Sequence, residues 1–257
     1  NMIAKAAIAR SSSNALRFSS QQRSGDLGEL QFESLPGTAE EGKAVAEMTD
    51  AKLLEQKQAT ANAIKQQKAP YLLHLATHAY FLADQPEKEM SDSGLQEFSG
   101  TRGLKLRALH GENPLLRSGI ALAGANQPAA NPADDGHLTA LEVAQLDWEG
   151  TELVVISACE SGLGDIKAGE GVYGLKRAIA VAGARSSLLS LWKVNDEATA
   201  VFMESFYERL KEGEGRADAL AATQRQFREN PPMPAWNHPY YWAAFQLSGD
   251  WKPIEGL

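Results

Sequence analysis

The 257-residue sequence has a single cysteine, no apolar run long enough to span a bilayer and no internal repeat of 20 to 50 residues. With one cysteine there can be no internal disulfide framework, and Cys159 suits a reducing compartment, which points to the cytoplasm. Taken alone, it is either a small buried apolar residue or a working thiol. Surplus basic charge is also missing, since the formal net charge is −8. Residues 1–25 run against that balance, with Lys5, Arg10, Arg17 and Arg23 and no acid, so the other 232 residues carry −12. An acidic body is a poor partner for phosphate backbones, which argues against nucleic acid and suits a basic peptide or protein substrate. The acid-free start is compatible with an organelle transit peptide. Because Asn1 precedes Met2, it is assigned here to a linker or the tail of an upstream region, residues 1–26.

What remains is ordinary globular material. Hydrophobic residues make up 43% of the chain, enough for one large α/β domain or two small ones. Strand-like and helix-like patterns alternate, which predicts a mostly parallel sheet of five or six strands with helices on both faces. Residues 27–33 alternate like a strand, and Thr38 with Glu41 forms a capping box for a helix to about Met48. A helix follows Thr60. Strands are expected at 71–77, 118–123, 152–157, 185–192 and 241–248. Thr139 with Glu142 forms a second capping box, for a short helix ending near Leu146. A glycine-rich stretch, 162–171, leads into a helix closed by Gly183. Asn195 or Asp196 caps a long helix to about Gly213, and another helix spans 216–229. Residues 84–113 lack periodicity and read as a long loop.

The chemistry concentrates at strand ends. Cys159 follows the apolar strand 152–157, and active sites of open α/β sheets lie at the carboxyl ends of strands. A cysteine nucleophile needs a neighbouring base. His78 ends the 71–77 strand and would face Cys159 if the two strands are neighbours. His74 lies inside that strand and reads as a core histidine. The two are about 13 Å apart along a strand, too far for one metal ion. His110, His137 and His238 are assigned no chemistry. Glu160 adjoins the thiol and disfavours a thiolate unless its carboxylate turns away. Glu170 either supports the glycine-rich loop or favours the positive start of the next helix. Asp196 either receives a basic substrate side chain or serves the start of its helix.

Several segments, in one order, are similar to the CHAT domain, a caspase-related and separase-related cysteine peptidase family. They include LPGTAEEGKAVAEM (35–48), YLLHLATHAYF (71–81), ENPLLRSGIALAGAN (112–126), the run from Gly136 to Thr199 containing SACESG, and HPYYWAAFQLSGD (238–250). The resemblance covers roughly 27–250 and implies a peptidase domain over 27–257. It implies the caspase-hemoglobinase fold, a central mostly parallel sheet of about six strands between helices. It carries the catalytic pair onto His78 and Cys159, with no metal or organic cofactor. The family's histidine is usually followed by glycine, whose amide holds the oxyanion together with that of the cysteine. Here Ala79 stands in that place, and its amide serves only if the backbone angles suit a residue with a Cβ. Similarity to separase places Asp196 opposite a basic substrate side chain and implies cleavage after Arg or Lys; Glu160 is assigned as a second substrate-binding residue. The two catalytic positions are 81 apart, and the long loop between them carries Lys88, Arg102, Lys105 and Arg107. That loop is either a self-cleaved or regulatory segment or a solvated insertion. Domains of this kind commonly follow tetratricopeptide (TPR) repeats or other sensors, which implies regulated proteolysis of a protein substrate in signalling or defence, away from membranes. The alternative is a catalytically silent scaffold of the same fold.

Overall fold

A computed structural model describes residues 2–4, 24, 27, 30–82, 113–160, 169–192 and 194–257, with backbone only at 2–4, 158–160 and 169–172. The loop expected at 84–113 lies almost wholly outside these residues, as do His110 and most of the glycine-rich stretch. Among the described residues the strands are β1 (Met2–Ala4), β2 (Lys52–Leu54), β3 (Leu72–Phe81), β4 (Ser118–Ala121), β5 (His137–Thr139), β6 (Leu153–Glu160), β7 (Ser186–Ser190) and β8 (Phe245–Gly249). The α-helices among the described residues are α1 (Gly37–Thr49), α2 (Ala61–Lys65), α3 (Ala140–Val143), α4 (Gly169–Val181), α5 (Asp196–Lys211) and α6 (Arg216–Glu229).

All eight strands form one sheet in the order β2-β1-β3-β6-β7-β8, with β4 on the other part of the β3 edge and β5 beyond it. Only β3-β6 and β6-β7 are parallel. The remaining pairings are antiparallel, so the mostly parallel sheet expected from the sequence is confined to the three central strands. The segment before residue 27 contributes to this sheet, since β1 pairs between β2 and β3.

The central strands alternate between two cores, as strands buried on both faces must. Leu72, Leu153, Val155 and Leu188 face α1, α5 and α6. Leu73, Leu75, Val154, Ile156 and Leu189 face α2, α3 and α4. Helix, sheet and helix therefore make three layers. On the first face Phe202 of α5 stacks on Phe245 at 4.4 Å and meets Phe227 of α6 edge-on at 5.3 Å. Truncating such a ring costs about 3–5 kcal/mol.

Three local expectations differ from the structure. Residues 30–33 are not a strand, and Leu27 and Leu30 are instead buried beside Tyr80. The first capping box does not form. The residue before α1 is Pro36, already helical at φ −62° and ψ −34°, and the Thr38 hydroxyl donates to the Leu35 carbonyl at 2.7 Å. Glu41 is left free to turn inward, at the head of the buried stripe Glu41, Val45 and Thr49. Finally, β3 runs past His78 to Phe81, because β4 pairs with its last four residues. The second capping box does form, with both reciprocal bonds between Thr139 and Glu142. Thr60 and Asn195 cap α2 and α5. Gly183, at φ 103°, follows α4 in the left-handed region open to glycine.

Candidate active site at the end of the parallel strands

The β3-β6 pairing runs in eight rows, from Leu72↔Leu153 to Ala79↔Glu160. His78 and Cys159 share the row before the last. Neighbouring strands lie about 4.8 Å apart, so the two backbones are as close as a sheet permits. Both stand where the parallel ladder runs out at its carboxyl end.

His78 is held from above. Its Nε2 lies 2.7 Å from the Glu33 carbonyl oxygen. A carbonyl can only accept, so Nε2 carries the hydrogen, and in the neutral ring Nδ1 is the bare nitrogen. Nδ1 is buried and has no hydrogen-bond partner among the described residues. The Phe32 ring packs at 5.5 Å from the imidazole. The Phe32 backbone is clamped by Asn126, whose Oδ1 accepts from the Phe32 amide and whose Nδ2 donates to the Phe32 carbonyl, both at 2.9 Å. Asn126 thus fixes the peptide whose next carbonyl orients the histidine.

Below this row, on the same strand, His74 sits in a closed network with no solvent exposure. Its Nε2 meets Glu41 Oε1 at 2.8 Å and its Nδ1 meets the Tyr207 hydroxyl at 3.0 Å. The Ser157 hydroxyl donates to the same Glu41 oxygen at 2.5 Å. Burial, reinforced by the Glu41 charge, pushes the Tyr207 hydroxyl well above its ordinary pKa. The network ties together the helix that follows Glu33, the strands of His78 and Cys159, and the helix that begins at Asp196.

The other residues singled out in the sequence fall as follows. Ala79 is buried in the last β3-β6 row, between Glu160 on one side and Ile120 of β4 on the other. For Glu160 the backbone alone is described. Asp196 opens α5, where the cap is Asn195, whose side chain accepts from the Ala198 amide. It packs against the start of α1, since a Cβ on Gly37 would lie 2.6 Å from Asp196 Cβ. His137 is buried against the Ala125 carbonyl at 3.2 Å, and His238 caps a short turn by accepting from the Tyr240 amide. Among the described residues no group of three or more His, Cys, Asp or Glu could hold a metal ion. No helix of the described residues is long and apolar enough to cross a membrane.

Sequence reasoning missed Phe32, Glu33, Asn126, Glu41 and Tyr207. A backbone carbonyl leaves no trace in residue type, so Glu33 carried no signal. Asn126 carried a weak one, being an asparagine in a loop, where its amide readily binds backbone groups.

A mixed α/β sheet with a histidine and a cysteine in one register row at its carboxyl edge defines the class of protein to compare. The family model for the CHAT domain matches residues 2–250, and the chain belongs to the CHAT domain family, related to the caspase-like peptidases. It is similar to tetratricopeptide repeat protein 28 of Homo sapiens, 33% identical over 118 residues, or 46% of this chain and 5% of that protein. Against the Mus musculus protein of the same name it is 32% identical over 112 residues, 44% of this chain and 4% of the relative. The chain thus matches about a twentieth of the length of these curated relatives.

Proposed function

We propose that this chain is a cysteine endopeptidase of caspase-hemoglobinase type, with residues 27–257, completed by strand β1, as the peptidase domain and His78 and Cys159 as its catalytic pair. The observation that carries the reading is the shared register row of the two residues, together with a bare, buried Nδ1 on a histidine whose other nitrogen is tied to a carbonyl. Cys159 gives its thiol proton to His78 Nδ1, and the thiolate attacks the substrate carbonyl, forming a C–S bond. The oxyanion is held by the Ala79 and Cys159 amides, where the ladder ends. Collapse breaks the C–N bond, and His78 returns the proton to the leaving amine. Water, deprotonated by His78, then hydrolyses the thioester and frees the thiol. The carbonyl of Glu33 steadies the imidazolium formed along the way.

Specificity follows from Asp196, which receives an Arg or Lys side chain before the scissile bond, with Glu160 adding negative charge. The acidic body of the chain favours such substrates. The lone cysteine suits a reducing, cytoplasmic setting. A TPR or other sensor segment upstream would place the activity under regulation in signalling or defence; the name of the relatives supports this association.

The test uses short fluorogenic peptides ending in Arg, Lys, Asp or Leu, with Cys159→Ala and Asp196→Ala alongside. Cysteine-dependent release after Arg or Lys, lost in Asp196→Ala, is expected. Release after Asp alone, with Asp196→Ala unaffected, removes the specificity argument and keeps the peptidase. No release from any peptide favours the catalytically silent scaffold.

A further inference from the structure

The chemistry above leaves unused a cavity of about 570 Å³ that borders His78. Sites for small ligands and side chains span roughly 300–1,000 Å³. Phe32, Glu33 and Ser34 form one wall, and the chain from Ala121 to Gln127 forms another. The floor is apolar and buried, made of Ala59, Ala121, Leu122 and Ala125, while Lys57 and Gln127 stand exposed at the mouth. Gln56, also at the rim, holds φ at 48°, a left-handed conformation that costs a non-glycine residue and tends to persist at functional sites.

Position gives the cavity its meaning. It opens on the side of β3 away from β6, between the residues paired with β1, which end at Leu75, and those paired with β4, which begin at His78. Across the rim the order is therefore β7, then Cys159 on β6, then His78 on β3, then the cavity. Because His78 protonates the leaving amine in the proposed mechanism, the amine half of the substrate departs on the His78 side, where the cavity lies. We infer that this cavity binds the substrate residues that follow the scissile bond and selects an apolar side chain there. The inference rests on the peptidase reading. An aliphatic side chain gains from burial on this floor, whereas a charged one would lose its water there, the charges of Lys57 and Glu33 standing exposed at the mouth and wall.

The experiment measures kcat/KM of the full chain on quenched peptides ending the acyl half in Arg and continuing with Leu, Gly, Asp or Lys. An aminocoumarin amide with the same acyl half serves as the reference. Leu is expected to exceed Gly and Asp by at least about tenfold. Ala123→Trp, which fills the cavity from its wall, should lower the Leu peptide at least about tenfold more than the coumarin amide. A flat peptide series with the coumarin amide still cleaved overturns the subsite and leaves the peptidase standing. An apolar preference that survives in Ala123→Trp places the subsite elsewhere. Cleavage of neither kind of substrate overturns the peptidase reading, and the subsite with it. The wild-type series stands alone should the variant fail to fold.

Discussion

His74 and His78 lie on the same strand, four residues apart, each paired in register with β6, yet their surroundings are opposite. Against His74 the sheet is covered by α1 and α5, so both ring nitrogens are satisfied by Glu41 and Tyr207. At His78 the helices have ended, and among the described residues the segment around Phe32 and Glu33 roofs the ring. Among the described residues one nitrogen is tied and the other has no partner. A histidine with both nitrogens occupied holds elements together. A histidine with one fixed and one open nitrogen can move a proton. The difference comes from where each sits relative to the helix ends.

Four substitutions sharpen or break this comparison. His78→Ala should lower peptide cleavage about a thousandfold, within the range of general acid–base contributions, and change unfolding stability by about 1 kcal/mol or less. Glu41→Ala should do the reverse. It strands His74 and Ser157 in the core and should cost about 2–5 kcal/mol in urea unfolding, since each buried polar group left without a partner costs about 1–3 kcal/mol. If the two variants lose equal stability, the division of labour is wrong.

Asn126→Ala removes the clamp on Phe32 without touching the imidazole. It should lower kcat about tenfold with KM little changed, the signature of a misplaced proton carrier. A pure rise in KM would instead make Asn126 a substrate contact.

Tyr207→Phe has the smallest effect, about 1 kcal/mol for the lost hydrogen bond. It also carries a pH signature. The Tyr207 hydroxyl is held well above its ordinary value of 10.0, so the folded state keeps a proton that the unfolded state gives up. Stability is whole below pH 10 and falls as pH rises above it. Denaturation midpoints between about pH 8 and 11 should slope downward in wild type and less so in Tyr207→Phe.

The pattern of polar and apolar residues carried much of this architecture. The span 216–229 is α6 to the residue, and the Thr139–Glu142 box caps α3 as expected. Thr38 and Glu41 show the same four-residue pattern and fail. Thr139 is extended, at φ −70° and ψ 157°, as a cap must be, whereas Thr38 already lies inside a helix begun at Gly37. The antiparallel flanks were not legible, because strand direction depends on partners that a single strand's residues do not name. The row joining His78 to Cys159 was anticipated only as a condition, that the two strands be neighbours, and the sheet meets it. The groups that orient His78 stayed hidden, since one is a carbonyl and the other acts through a neighbouring peptide.

The most direct test of the central claim is labelling by a peptidyl electrophile ending in Arg, read by mass spectrometry in wild type and in His78→Ala. The account predicts covalent modification at Cys159, slowed at least about a hundredfold without the histidine. Equal rates in the two proteins, or no adduct at Cys159, would contradict it.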